Sequence, residues 1–100
     1  MSIKNALALR NHTCQAEGHT FVLRRPSVAD LAEASVQAKQ GDPGFSAWLV
    51  FNHLVEDGKP VFDSPEEVLQ CDASLVTFLV DQIDRLYGEP QDLTRQPSKS

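Results

Sequence analysis

The hydrophobic and polar positions change period several times along the chain, and each change predicts an element. Ile3 and Leu7, four residues apart, place a short helix over residues 2–10. From Thr13 the period shortens to two. Thr13-Cys14-Gln15-Ala16 and His19-Thr20-Phe21-Val22-Leu23-Arg24 read as two strands around Glu17-Gly18, where glycine supplies the positive φ a two-residue turn needs. Pairing Ala16 with His19 sets Cys14 against Phe21 and His12 against Leu23. Cys14, Ala16, Phe21 and Leu23 then share an apolar face, and Thr13, Gln15, Thr20 and Arg24 share the polar one.

Pro26 ends the second strand, and Ser27 with Asp30 forms an acidic variant of the capping box. The helix behind it carries Val28, Leu31, Ala32, Ala34 and Ala38 before Gly41 stops it. Asp42-Pro43 then opens another helix, expected over about 43–56, with Asp42 as cap and proline in the first turn. Phe45, Trp48, Leu49 and Val55 would lie on one side of it, with Val50, Phe51 and Leu54 on the rest. A helix apolar all round is hard for a small domain to bury. Asp57-Gly58 reads as a turn, and Lys59-Pro60-Val61-Phe62 as a short extended stretch. Ser64-Pro65-Glu66-Glu67 begins a brief helix, and Asp72 caps the last one. There Leu75, Val76, Leu79, Val80, Ile83, Leu86 and Tyr87 form a wide stripe, with Asp81 and Arg85 paired on the wet side. Gly88 and Pro90 close it, leaving 89–100 as an aperiodic polar tail. The fold class expected is α+β, predominantly α. A single domain over 1–88 holds an N-terminal hairpin followed by three to four helices.

Composition narrows the chemistry. A hydrophobic fraction of 41% and a charged fraction of 23% are those of an ordinary globular chain. Nine basic against fourteen acidic residues give a net charge of −5, the wrong sign for a nucleic-acid surface. The longest apolar run, Ala47-Trp48-Leu49-Val50-Phe51, is far short of a bilayer span, and the N-terminus lacks the apolar core of a signal peptide. With two distant cysteines and no Cys-x-x-Cys pair, the expectation is a cytoplasmic protein with reduced thiols, without contacts to membrane or nucleic acid.

Candidate sites for catalysis or cofactors weaken on inspection. His12, Cys14 and His19 share a hairpin face, with Cys71 a conceivable fourth ligand. Cys14 and His19 are diagonal neighbours, though, and zinc needs all its ligands about one point. A Cys14–Cys71 disulfide is no better supported. Cys14 would face the core, and Asp72 beside Cys71 would raise that thiol's pKa, so neither is a promising nucleophile. Asp63, Glu66 and Glu67 suit the first turn of a helix, where its dipole favours acids. The five glycines are scattered at turns and make no phosphate loop. No catalytic, metal or cofactor residue is assigned.

Three stretches carry a family likeness. Phe21-Val22-Leu23-Arg24-Arg25-Pro26-Ser27-Val28-Ala29-Asp30 is followed by the apolar helix around Trp48-Leu49-Val50. Then come Glu56-Asp57-Gly58-Lys59-Pro60-Val61-Phe62, a short capped helix, and a closing helix up to Leu86-Tyr87-Gly88. Over about residues 13–88 this order resembles the tail assembly chaperones of long-tailed phages and prophages. The resemblance implies a protein, not an enzyme, that binds the tape measure protein during tail building and helps nucleate tail-tube polymerisation around it. It also implies self-association, absence from the finished virion, and in many members a longer frameshifted form beginning near the 89–100 segment. The residues agree independently, since a chaperone needs apolar surface left for a partner. The expected contacts are Trp48, Phe51, Leu54 and Val55, with Arg24 and Arg25 either a docking pair for an acidic segment or a solvated strand end. The other readings are a structural tail or virion component and a small non-enzymatic adaptor.

Overall fold

A computed structural model describes residues 3–8 and 10–88. The 89–100 tail therefore lies outside the described residues. The order is α1 (Ile3–Ala6), β1 (Asn11–Ala16), β2 (His19–Arg24), α2 (Val28–Gln37), α3 (Gly44–His53), β3 (Leu54–Glu56), β4 (Lys59–Pro60), α4 (Pro65–Val68) and α5 (Ala73–Gly88). A 3-10 turn at Ala38–Gln40 extends α2. The fold is α+β and mostly α: an N-terminal hairpin, then helices, around one antiparallel sheet ordered β1-β2-β3-β4.

The hairpin takes the register its faces require, with Ala16 opposite His19, Cys14 opposite Phe21 and His12 opposite Leu23. Glu17 and Gly18 turn at φ 51° and 78°, the paired positive values of the tight turn that matches strand twist. Asp57 and Gly58 repeat that geometry at 54° and 78° between β3 and β4. The Ser27–Asp30 capping box is complete in both directions, and Asp72 caps α5 through the backbone N–H of Leu75. At α4 the Ser64 side chain makes no cap bond, and Glu67 instead accepts from the N–H of Asp63, one residue before the cap, at 2.7 Å.

The helix expected over 2–10 is only the single turn α1, Ile3–Ala6, and both ends of α3 differ from the sequence reading as well. First, α3 begins at Gly44, after Asp42, whose carboxylate accepts from the backbone N–H and hydroxyl of Ser46. Second, α3 stops at His53, and Leu54 and Val55 belong to β3 instead. The open side of β2 takes them up, Leu54 opposite Leu23 and Val55 opposite Val22. Strand pairing there satisfies backbone groups that another helical turn would have left unpartnered on the sheet.

The core lies between the sheet and the helical layer. Cys14, Leu23 and Leu54 come from the strands, Ala47, Leu49 and Val50 from α3, Val68 from α4, and Leu79, Ile83 and Leu86 from α5. Leu23 and Cys14 are buried in this cluster and Phe21 packs half-buried against it, so the hairpin face predicted to be apolar turns to the core. At the other end of the chain, Ile3 and Leu7 form no part of the core and are more than three-quarters exposed. Among the described residues no helix is long and apolar enough to cross a membrane.

Candidate protein-interaction surface

The corner joining β2 to α2 is built by polar groups. The Arg24 guanidinium donates to Asp30 Oδ2 at 2.7 Å and to the Asn52 carbonyl at 2.9 Å. Asp30 Oδ2 also accepts the Ser27 backbone N–H at 2.8 Å, and Asp30 Oδ1 accepts the Asn52 amide at 3.1 Å. One carboxylate thus ties the end of β2, the start of α2 and the end of α3. Burial alone would raise the Asp30 pKa, but the Arg24 hydrogen bond, those from Ser27 and the guanidinium charge outweigh it and bring it down to about 2.

Beside this corner His53 is fully buried. Its Nδ1 lies 2.6 Å from the Arg24 carbonyl and its Nε2 2.7 Å from the Tyr87 hydroxyl. A carbonyl can only accept, so Nδ1 carries the proton. Burial depresses the His53 pKa and keeps the ring neutral, which leaves Nε2 to accept from the Tyr87 O–H. Burial likewise pushes the Tyr87 pKa up and holds its proton on. Trp48 meets the His53 ring edge-on at 6.4 Å and stacks on Phe45.

This network sets the roll of α2. At 100° per residue, Val28 and Asp30 lie about 200° apart on the helix. Turning Asp30 in to Arg24 and Asn52 therefore turns Val28 out. The half-buried positions of α2 are Asp30, Ala34 and Gln37, and no residue of the helix is buried. Val28 is 85% exposed, Val36 57% and Leu31 46%, with Ala32 and Ser35 exposed between them. An amphipathic helix normally buries its apolar stripe. Here the stripe faces solvent.

The residues expected at a partner interface sit elsewhere. Leu54 is buried at 7% exposure in β3, Val55 is half-buried between Val22 and Pro60, and Trp48 and Phe51 are half-buried against the core. α3 packs against α4 and α5 and touches β4, which leaves Phe45, Trp48 and Phe51 half-buried. Arg24 is held by Asp30 and Asn52, and the backbone N–H of Arg25 donates to the Arg10 carbonyl at 3.0 Å. Arg24, Asn52 and His53 do come together, but as a joint inside the fold. The apolar positions of α2, Val28, Leu31 and Ala32, do not say by themselves which way they face. The available signal was Arg24 six residues before Asp30, an ion pair that forces the helix to turn its polar side inward.

The remaining candidates stay apart. Cys14 is a buried thiol whose pKa burial raises, and Cys71 is exposed and free. His19 lies against Phe21, and among the described residues no three His, Cys, Asp or Glu side chains group as metal ligands. An open apolar cleft of about 430 Å3 separates the start of α3 from α4 and α5, lined by Pro43, Ala47, Val68, Leu69, Val76 and Val80. No protein-family model, no curated protein and no solved structure gives a significant match to the chain.

Proposed function

We propose that this chain is a tail assembly chaperone of a long-tailed phage or prophage, acting in the bacterial cytoplasm to hold the tape measure protein during tail-tube assembly. The supporting observation is the outward apolar stripe of α2, Val28-Leu31-Ala32-Val36, on a helix locked in that orientation by Asp30. A contiguous exposed apolar strip on a small domain marks a site for another chain. A tape measure protein is long and helical, and the apolar side of one of its amphipathic helices suits such a strip, read by anchors at helical spacing. The resemblance of residues 13–88 supports the same reading through its first motif, Leu23-Arg24-Arg25-Pro26-Ser27-Val28-Ala29-Asp30, which spans the joint that sets the stripe outward.

The test is co-expression with the long helical product encoded immediately downstream, followed by affinity purification and light scattering. The expected result is a soluble complex, with the long protein insoluble when expressed alone, and loss of the complex on Leu31→Glu or Val36→Glu without loss of helicity. A long product that is soluble alone, or a complex indifferent to both substitutions, overturns the reading.

A further inference from the structure

The sheet has two edges, and they are protected differently. At one, β4 is two residues long and consists of Lys59 and Pro60, a charge and a residue without an N–H. Short strands, lysine and proline are the usual guards against edge-to-edge pairing. At the other edge, β1 runs for six residues, Asn-His-Thr-Cys-Gln-Ala, with neither charge nor proline.

The register identifies which backbone groups this edge offers. In a hairpin closed by a two-residue turn, Ala16 and His19 exchange both hydrogen bonds, and exchange recurs at every second pair. Cys14 with Phe21 and His12 with Leu23 are therefore the bonded pairs. The sequence continues to Arg10 and Arg25, where the Arg25 N–H donates to the Arg10 carbonyl at 3.0 Å. The N–H and C=O groups of Asn11, Thr13 and Gln15 consequently point away from β2. All three residues are exposed.

That edge is complementary to itself. Laid antiparallel about a two-fold axis at Thr13, each Asn11 meets the other copy's Gln15 and the two Thr13 residues meet each other. All six outward backbone groups of each strand then find partners, as an isologous interface requires. The flanking charges favour the same arrangement. Exposed Arg10 precedes the strand and exposed Glu17 follows it, so antiparallel pairing, which sets Arg10 opposite the other copy's Ala16, puts each arginine one residue along from the other copy's glutamate. Parallel pairing would bring like charges together.

We propose that two copies of this chain pair edge to edge through β1, about a two-fold axis at Thr13, joining the four strands of each into one continuous sheet. This surface is distinct from the α2 stripe and holds whether or not the chain is a tail chaperone. Backbone hydrogen bonds supply the affinity and the Arg10–Glu17 pairs the direction.

The experiment is residue-resolved amide hydrogen exchange with sedimentation velocity, on the full chain from micromolar to millimolar concentration. At high concentration a dimer is expected in which the Asn11, Thr13 and Gln15 amides exchange at least about tenfold more slowly than on dilution, while His12, Cys14 and Ala16 change little. Thr13→Pro removes an N–H that β2 does not use and is expected to leave a monomer with unchanged circular dichroism. Thr13→Lys sets two like charges at the axis and should do the same without touching the backbone. A monomer at every concentration overturns the proposal, as does a dimer whose Asn11, Thr13 and Gln15 amides stay as fast as in the monomer.

Discussion

α2 and α3 are neighbours in the chain and each is ten residues long, yet they are buried in opposite ways. α3 is apolar nearly all round, and the fold covers it nearly all round. Ala47, Leu49, Val50 and His53 are buried, and Phe45, Trp48 and Phe51 are half-buried. α2 has a clear apolar stripe and a clear polar side, and buries no residue. Amphipathic pattern alone would have put α2 on the core and left part of α3 exposed. What decides is the strength of the local anchor. A carboxylate held by a guanidinium, an amide and a backbone N–H outweighs the burial of two or three aliphatic side chains. Those side chains are worth about 1.5–3 kcal/mol each if fully buried, and α2, at the rim, could not bury them fully. Removing the inward Asp30 from water without partners would cost more.

Truncating the two helices should therefore give unequal results. Leu49→Ala in α3 leaves a cavity and is expected to lower stability by about 2–5 kcal/mol. Leu31→Ala in α2 should stay within about 0.5 kcal/mol. Urea unfolding followed by circular dichroism measures both, and equal losses would erase the contrast.

Asp30→Ala strikes the anchor itself. It removes the ion pair to Arg24 and half of the capping box and leaves Asn52 short of an acceptor, an expected loss of about 1–3 kcal/mol. The pH dependence has a definite sign. Because the folded pKa, about 2, lies below the ordinary 3.8, this stabilisation is full above that ordinary value and is lost as pH falls toward 2. Acid titration of the wild type against Asp30→Asn should show that component only in the wild type.

Tyr87→Phe tests the joint on the α3 side. It leaves Nε2 of His53 buried without a donor and should lower stability by about 1–2 kcal/mol. His53 adds its own dependence. With a folded pKa depressed below 6.5, it disfavours folding progressively as pH drops below that value, so stability should begin to fall near pH 6 and below. His53→Gln should flatten this limb, read from unfolding midpoints between pH 7 and 5.

The smallest effect on stability should accompany a large effect on binding. Val36→Lys, on the most distal turn of the α2 stripe, is expected to change stability by less than about 0.5 kcal/mol while weakening the proposed tape measure complex. Measured affinity unchanged by this substitution, with Trp48→Ala abolishing binding in a folded protein, would return the interface to α3.

Much of the fold was legible because its signals are local. Glu17-Gly18 and Asp57-Gly58 specify turns through positive φ, and Ser27 and Asp72 mark helix starts through the backbone groups they satisfy. The hairpin register followed from period two alone, since a slip of one residue would have exposed Leu23 and Cys14. The end of α3 was not legible. Leu54 and Val55 fit a helical apolar pattern as well as a strand, and only the waiting edge of β2 decides between them. Which apolar side chains stay exposed was not legible for a related reason: apolar content shows how much surface a helix could bury, while exposure depends on what surrounds it.

By itself the sequence determined the fold class, the two tight turns, the caps of α2 and α5, the hairpin register and the stripe of α5. Each depends on backbone conformation or periodicity within a few residues. Tertiary structure decided that α3 is largely enclosed, that α2 turns its apolar stripe to solvent, and that Arg24 belongs to an internal joint. Those outcomes depend on Asp30, Asn52, His53 and Tyr87, far apart in the chain, meeting where hydrogen bonds and burial compete over the same few ångströms.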